Sequence, residues 1–255
     1  MKNSCIGFLL AWQFFSVLPI KRQLPMTKVT VTWMFSLLPV IGLCMGAVCA
    51  AIYEALQWAD VTPLFTAILL VMAMIALTGG LHLDGWVDMS DAYFSYGNKE
   101  KRVAILDDPR IGAFGAMSLV CLLLLKIGAL YEVLMQQAEL LPFLLCIPFL
   151  SRIAIQLFFS ATPLSKQTGL GAYFKSHVVR NKLLTLVGIY CVALVGIASY
   201  FALWSLVVLL VAVGLGVFFY KRWVLRNFGG MSGDLMGALC EGMEVVLWII
   251  VLFCI

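Results

Sequence analysis

Long apolar runs dominate this sequence and constrain its fold more than any other feature. Seven runs, each close to the ~20 residues that cross a bilayer as an α-helix, are separated by short polar segments. They are 32–53, 61–79, 113–133, 140–160, 182–201, 202–220 and 235–255. Only 12% of the residues are charged, about half the fraction of a soluble domain. The sequence therefore predicts an all-α, polytopic transmembrane helical bundle of about seven spans, in a single domain over residues 1–255.

A shorter apolar stretch, 5–20, precedes the first of these runs and is followed at once by Lys21 and Arg22. It resembles a signal peptide but has no small-residue cleavage site, and it is short for a membrane span. We therefore expect an uncleaved N-terminal helix that is interfacial or re-entrant.

The basic residues are distributed unevenly among the loops and predict the orientation of the bundle. Four loops contain several lysines or arginines, and the alternate loops contain none. The basic loops are 21–31, 80–112, 161–182 and 221–234, and the others are 54–60, 134–139 and 200–204. Because cytoplasmic loops carry the excess of basic residues, we expect the four basic loops in the cytoplasm, with the lipid bilayer as partner and no nucleic acid.

The first polar motif, GGLHLDGWVDMSD, directly follows an apolar run. Its Asp84, Asp88 and Asp91 recur at i, i+4 and i+7, on one face of a helix. Such like charges beside a membrane repel one another unless a cation joins them, and carboxylate oxygens suit Mg²⁺. The pattern predicts a metal site for phosphoryl transfer, with a solvated acidic helix face as the alternative. For His82, a general base, a donor to a metal ligand and a structural hydrogen bond remain open.

The second polar motif, DDPRIGAFG, precedes the next apolar run. Arg110 has the forked geometry that binds phosphate oxygens. The proline and Gly112 are expected to form a tight turn. The alternative is a helix-capping loop that contains an Asp–Arg pair.

The third polar motif, GGMSGDLMGALCEGME, opens the last apolar run. Gly230 belongs to a glycine-rich turn, and Ser232 is expected to cap the following helix, whose N-terminus favours anions. Asp234, Glu241 and Glu244 fall roughly on one face of that helix. Acidic residues inside an apolar span indicate function, and a buried structural polar pair is the alternative.

Two basic residues lie in or near apolar runs. Lys126 is in the middle of one, and Arg152 is near the inner end of another. Each can either neutralise a buried glutamate or hold a substrate phosphate, and the sequence leaves both open. The loop segment KQTGLGAY, with Gly169 and Gly171, is expected to form a mobile substrate lid.

Through these motifs the chain resembles the cobalamin synthase family, the adenosylcobinamide-GDP ribazoletransferases. The resemblance rests on GGLHLDGWVDMSDA, DDPRIGAFG and GGMSGDLMGALCEGMEV and extends over essentially the full length. Ser232 stands where the family pattern has a threonine, which keeps the hydroxyl. The resemblance implies a Mg²⁺-dependent enzyme of the bacterial inner membrane, active at the cytoplasmic face. It would join α-ribazole, or its 5′-phosphate, to adenosylcobinamide-GDP and release GMP and adenosylcobalamin, or its 5′-phosphate.

Motifs and resemblance together give three groups of expected site residues in one catalytic domain. The expected catalytic residues are His82, Asp84, Asp88, Arg110, Asp234 and Glu241. The expected substrate-binding residues are Gly112, Lys126, Arg152, Gly169, Gly171, Gly230 and Ser232. The expected magnesium ligands are Asp84, Asp88, Asp91 and Asp234.

Other functions compete with this interpretation. A membrane prenyltransferase also uses aspartate-rich loops and Mg²⁺, but its second aspartate-rich loop has no counterpart in 161–182, which contains no acidic residue. A CDP-alcohol phosphotransferase shares the DGxxD core alone. An ion-coupled transporter would need acids near the middle of the bilayer, whereas these cluster at one face. Homo-oligomerisation remains open.

Overall fold

The computed structural model describes residues 2–95, 97–136 and 139–254, and these residues form twelve helices. They are α1 Lys2–Phe15, α2 Lys28–Ser36, α3 Leu38–Trp58, α4 Pro63–Thr78, α5 Leu81–Phe94, α6 Lys99–Ile105, α7 Ala113–Met135, α8 Leu141–Ala161, α9 Gly169–His177, α10 Arg180–Tyr200, α11 Trp204–Phe228 and α12 Gly233–Val251. In these ranges no strand forms, and an isolated bridge joins Leu164 to Met231. The predicted all-α class is confirmed.

The number of membrane crossings is close to the prediction. Five of the described helices are long and apolar enough to cross a membrane, namely α3, α7, α8, α10 and α11. The α4–α5 pair, bent by 93°, makes six if it counts as one span. The predicted seventh span, 235–255, corresponds to α12, whose 19 residues include Asp234, Glu241 and Glu244. The polytopic bundle is confirmed, and α12 is its polar inner helix.

Two helix boundaries differ from the prediction for physical reasons. The run 32–53 is two helices, because α2 ends at Ser36 and α3 begins at Leu38. Proline in the first turn of α3 has no N–H to continue the hydrogen bonding of α2, and it is favoured at a helix start. The segment 161–182, expected as a loop, contains α9, whose nine residues are too few for a clear apolar period.

The N-terminal apolar stretch forms a helix, but α1 ends at Phe15 and not at residue 20. It packs on α2, where a Cβ on Gly7 would lie 2.4 Å from Trp33 Cβ. After α1 the chain remains beside the bundle, since Val17 N–H donates to Leu77 O at 3.0 Å. The N-terminal segment is therefore tied to the end of α4, immediately before the first polar motif.

Helix α8 forms the centre of the bundle. In its apolar window 67% of the residues are buried, against 22–39% in the other four candidate spans. It packs against α3, α10, α11 and α12, and α12 packs in turn against α5 and α7. The outer helices expose large apolar side chains such as Val192 and Phe219, which are 73% and 63% exposed. This surface suits contact with lipid. The polar side chains of the first and third motifs lie on α5 and α12.

Candidate active site

The glycine pair of the first motif turns the chain sharply between α4 and α5. Gly79 and Gly80 have φ angles of 65° and 75°, a left-handed conformation that other residues rarely adopt. Their N–H groups donate to Ala76 O and Ile75 O and close the end of α4. Helix α5 consequently starts at 93° to α4, which takes its aspartates away from the direction of the apolar run.

Helix α5 then crosses α12 at a close contact that has a glycine on each side. A Cβ on Gly85 would lie 2.5 Å from Asp234 O and 2.8 Å from Asp234 Cα. On the facing helix, a Cβ on Gly237 would lie 3.1 Å from His82 Cα. Because the two backbones touch at these glycines, the aspartates of α5 lie beside the first turn of α12.

Three of the predicted residues meet at this crossing, and we call Asp84, Asp88 and Asp234 the acidic cluster. Asp84 is exposed, and the other two are partly buried. The negative charges of Asp84, Asp234 and Asp91 all act on Asp88, and Lys166 is the cation that acts on Asp234. Within the described residues, the side chains of Asp84 and Asp88 form neither a hydrogen bond nor an ion pair. The cluster therefore concentrates negative charge that the chain itself largely leaves unbalanced.

The acidic cluster has the donor chemistry of a magnesium site without a complete set of ligands. Among the described residues, no group of three or more His, Cys, Asp or Glu side chains is arranged to hold a metal ion. Mg²⁺ commonly takes one or two carboxylates and completes its shell with water and substrate phosphate. Asp84 and Asp88 fit that partial role, and the four-aspartate ligand set stays a prediction.

Asp91 differs from the other aspartates of α5 because its carboxylate binds the backbone. Its Oδ2 accepts from Gly112 N–H at 2.7 Å, and its Oδ1 accepts from Gly115 N–H at 2.8 Å. These groups lie at the N-terminus of α7, where N–H groups lack helical partners and a negative charge is favoured. Asp91 thus joins α5 to α7. Its role as a metal ligand and the substrate contact of Gly112 stay predictions.

The second motif forms an exposed turn before α7. Arg110 donates to Asp108 from Nε at 2.8 Å and from Nη2 at 2.6 Å, and the arginine side chain is 86% exposed. These hydrogen bonds lower the pKa of the Asp108 carboxyl to about 2. The neighbouring Asp107 pairs with Lys166, which follows α8. The Asp–Arg pair of the alternative interpretation is present, and the guanidinium remains accessible to a phosphate.

The turn before α12 is joined to the segment that follows α8. Met231 N–H donates to Pro163 O at 2.8 Å, and Ser165 N–H donates to Met231 O at 3.0 Å. Gly230 permits this approach, because a Cβ there would lie 2.4 Å from Leu164 C. Gly230 thus has a structural role in joining the two segments. The predicted contact of Gly230 with substrate stays a prediction.

Ser232 caps α12, as the sequence predicts. Its Oγ accepts from Leu235 N–H at 3.2 Å and lies 3.2 Å from Asp234 Oδ2. The cap holds the first turn of α12, and with it Asp234, in place. Direct binding of substrate by Ser232 stays a prediction.

The KQTGLGAY segment is helical from Gly169 onward. Gly169 has a φ of 83° and no atom within 4 Å of a Cβ built on it, and Gly171 would meet only a leucine side chain at 3.9 Å. The other end of α9 is held, since Phe174 is buried and Tyr173 Oη donates to Met26 O at 2.9 Å. Both glycines border open space, so their substrate contacts and the lid stay predictions.

Five buried residues form an ionic network: Lys126, Ser151, Arg152, Glu241 and Glu244. Lys126 Nζ donates to Glu241 at 2.6 Å and to Glu244 at 2.9 Å. Arg152 Nη1 lies 2.5 Å from Glu244 Oε1, which also accepts from Ser151 Oγ at 3.1 Å. Two cations and two carboxylates balance, as charges deep in a membrane protein must. The network joins α7, α8 and α12.

The ionic network contains the ion pairs expected under the structural interpretation of the buried cations. Lys126 and Arg152 are 5% and 2% exposed and neutralise the glutamates of α12. Glu241, expected to be catalytic, is 5% exposed and belongs to this network and not to the acidic cluster. The substrate-binding and catalytic roles of these three residues stay predictions, and no contact with the acidic cluster supports them.

His82 is enclosed between α5 and α12. It is 4% exposed, and neither ring nitrogen has a hydrogen-bond partner among the described residues. Residues two apart on a helix point to opposite sides, so His82 faces the core while Asp84 is exposed. His82 therefore does not form the structural hydrogen bond among the described residues. Its roles as a general base and as a donor to a metal ligand stay predictions.

Some roles in the site are not apparent from the sequence. Glu244, which is predicted on the same helix face as Glu241, has the most partners in the ionic network, and nothing in the sequence ranks it above Glu241. The Lys166–Asp107 pair joins positions far apart in the chain. Ser151 and Lys166 carry no local signal, because tertiary packing alone creates their contacts.

Comparisons with known proteins found similar sequences over nearly the whole chain. Residues 7–252 match the family model described as cobalamin-5-phosphate synthase. A relative from Geobacillus thermodenitrificans, named adenosylcobinamide-GDP ribazoletransferase, is 38% identical over 97% of this chain and 95% of its own length. Relatives of the same name from Halalkalibacterium halodurans and Pseudomonas aeruginosa are each 36% identical, over 97% and 96% of this chain and 95% and 96% of their own lengths. No solved structure matches the chain.

Proposed function

The chain belongs to the cobalamin-5-phosphate synthase family, and we propose that it acts as an adenosylcobinamide-GDP ribazoletransferase. In this reaction a ribose hydroxyl of α-ribazole, or of its 5′-phosphate, forms a bond to the phosphorus attached to cobinamide. The bond from that phosphorus to GMP breaks, GMP leaves, and the hydroxyl proton is released. The product is adenosylcobalamin or its 5′-phosphate. Full-length similarity to relatives that carry this name supports the assignment.

The observation that carries the proposed site is the glycine crossing of α5 and α12. It brings two carboxylates of α5 beside Asp234 of α12, although the sequence separates them widely. Phosphoryl transfer depends on positioning and charge neutralisation more than on covalent chemistry. Backbones in direct contact provide a rigid base for that positioning.

Magnesium at the acidic cluster is part of this proposal. Asp84 and Asp88 would hold it, with Asp234 as a further candidate, because these oxygen donors have few competing partners. When bound, the ion supplies charge neutralisation of the diphosphate. Asp91 is the weaker candidate, because both of its oxygens already accept backbone hydrogen bonds.

Residues around the acidic cluster would bind and orient the substrates. The exposed guanidinium of Arg110 can bind phosphate oxygens, either in place of Asp108 or while it stays paired with Asp108. Lys166 adds a second cation near Asp234. Asp84 is the better acceptor for the hydroxyl proton than His82, because Asp84 is exposed and His82 is enclosed.

We also propose that the reaction takes place at the cytoplasmic face of the bacterial inner membrane. The apolar helices indicate a membrane protein. The segment with Arg110 and the segment with Lys166 both belong to basic loops, and the excess of basic residues marks the cytoplasmic side. Nucleotides and Mg²⁺ are available on that side.

The direct test is release of GMP by the purified full-length protein. We expect GMP from adenosylcobinamide-GDP and α-ribazole in the presence of Mg²⁺, none after addition of EDTA, and recovery when Mg²⁺ is restored. Asp88→Asn should lose at least about 100-fold in kcat, whereas Glu100→Gln, an exposed acid on α6, should not. Absence of GMP from the wild type would overturn the activity, and full turnover in EDTA would overturn the metal site alone.

A further inference from the structure

A second charged feature lies at the same end of the bundle as the acidic cluster, and the proposed reaction does not use it. Lys175 of α9, Arg180 at the start of α10 and Lys221 of α11 form what we call the basic cluster. The positive charges of Arg180 and Lys221 both act on Lys175. Helix α10 packs along α11 and α8, and Lys175 itself contacts the end of α8. Because like charges raise one another's electrostatic energy, an anion bound beside them would be stabilised.

Lys175 is held in place by the end of α8. Its Nζ donates to the carbonyl oxygens of Phe159 and Thr162, the latter at 3.0 Å, and lies 4.7 Å from the centre of the Phe159 ring. An ammonium group has three N–H donors, so one donor is left for a ligand. Burial, together with the charges of Arg180 and Lys221, lowers the pKa of Lys175. A bound anion would stabilise the charged form of Lys175 against both effects.

The chain cannot supply that anion from nearby sequence. Residues 140–233, which include α8, α9, α10 and α11, contain no aspartate or glutamate. None of the ion pairs among the described residues involves a member of the basic cluster. The acidic side chains at this end of the bundle belong to the segments around α5 and α6 and to the start of α12. Among the described residues, the cluster therefore has no ion-pair partner that would compete with an external anion.

The surface beside the basic cluster is apolar and exposed, which distinguishes a lipid from a soluble anion. On α11, Phe218 and Phe219 are 51% and 63% exposed, and on α10 Ile189 is 55% exposed. Arg222 lies 4.8 Å from the centre of the Phe218 ring, so a cation directly borders this apolar surface. Cations above an exposed apolar surface match the amphipathic shape of a phospholipid.

We propose that the basic cluster is a binding site for the phosphate headgroup of an anionic phospholipid, whose acyl chains lie along the exposed faces of α10 and α11. Each lysine or arginine near a membrane surface strengthens such binding about fivefold, so three together account for on the order of 100-fold. The inference is independent of the proposed reaction, because its test does not measure turnover.

The test uses the full-length protein in nanodiscs of phosphatidylcholine containing a minor fraction of phosphatidylglycerol. After mild detergent extraction, native mass spectrometry measures how much phosphatidylglycerol each protein molecule retains. The variant Lys175→Gln/Arg180→Gln/Lys221→Gln should bind phosphatidylglycerol on the order of 100-fold more weakly. Because Lys175 also closes the end of α8, the pair Arg180→Gln/Lys221→Gln serves as a second variant. It should lose on the order of 30-fold with Lys175 still in place.

A matched control for the pair variant removes one lysine and one arginine elsewhere. Lys21 and Arg22 are exposed and lie between α1 and α2. Changing both to glutamine should leave bound phosphatidylglycerol within about twofold, because exposed charges outside the cluster are screened. Equal loss in this control and in the pair variant would overturn the proposal. So would equal displacement of phosphatidylglycerol by inorganic phosphate, which would indicate a site for soluble anions.

Discussion

The contact between α5 and α12 makes Gly85→Ala the most informative single substitution in this protein. The change adds one methyl group and no charge, and alanine favours the helix that already contains the position. All of its effect should therefore arise from the contact with Asp234. A Cβ at this position would lie 2.5 Å from Asp234 O, whereas ordinary contacts begin at 3.4 Å.

The size of the effect follows from that overlap. The helices must separate by about 1 Å, since both colliding groups are backbone or attached directly to it. Overpacking of this kind costs about 1–3 kcal/mol of folding free energy. A displacement of about 1 Å between catalytic groups costs on the order of 100-fold in rate. Since a 100-fold loss in rate corresponds to about 2.7 kcal/mol, the effects on the activation barrier and on stability should be of similar size.

The assay is GMP release by purified protein, combined with thermal unfolding in the same detergent. Gly128→Ala is the matched control, because Gly128 lies inside α7 and a Cβ there would meet nothing within 4 Å. This control should keep wild-type kcat and gain up to about 1 kcal/mol of stability from helix propensity. Wild-type turnover in Gly85→Ala would show that the α5–α12 crossing does not position the reacting groups.

Three further predictions test other parts of the structure. Glu244→Gln leaves two buried cations with one carboxylate and should destabilise the protein by about 3–5 kcal/mol; a thermal midpoint unchanged from wild type would contradict the network. Asp91→Ala removes both acceptors of the first N–H groups of α7 and should cost about 1–3 kcal/mol, with faster amide exchange at that helix end. The pKa of Asp108 is lowered from 3.8 to about 2, so its ion pair with Arg110 is fully formed above pH 3.8 and is lost only as the pH falls through about 2. Asp108→Asn should therefore leave the pH dependence of GMP release near neutrality unchanged.

Much of the fold and part of the candidate site follow from local sequence. Apolar runs of bilayer length predict membrane helices because hydropathy acts over one contiguous segment, and α7, α8, α10 and α11 lie close to the predicted spans. The spacing of Asp84 and Asp88 predicts one helical face, because a helical repeat is also local. Ser232 as the cap of α12 was predictable for the same reason.

The convergence of the site depends on contacts that local patterns do not encode. Asp234 joins the aspartates of α5 only because Gly85 allows the backbones to touch. Glu241 looks equivalent to Asp234 on the same helix, yet it pairs with Lys126 in the core. The packing of α12 against α7 and α8 determines which carboxylate joins the acidic cluster and which is neutralised in the core.

Composition and helical periodicity thus determined that this chain is a membrane bundle with an acidic end, since both act between neighbours along the chain. Tertiary packing alone decided which charges remain without a partner and which are paired, because that depends on side chains brought together from distant helices.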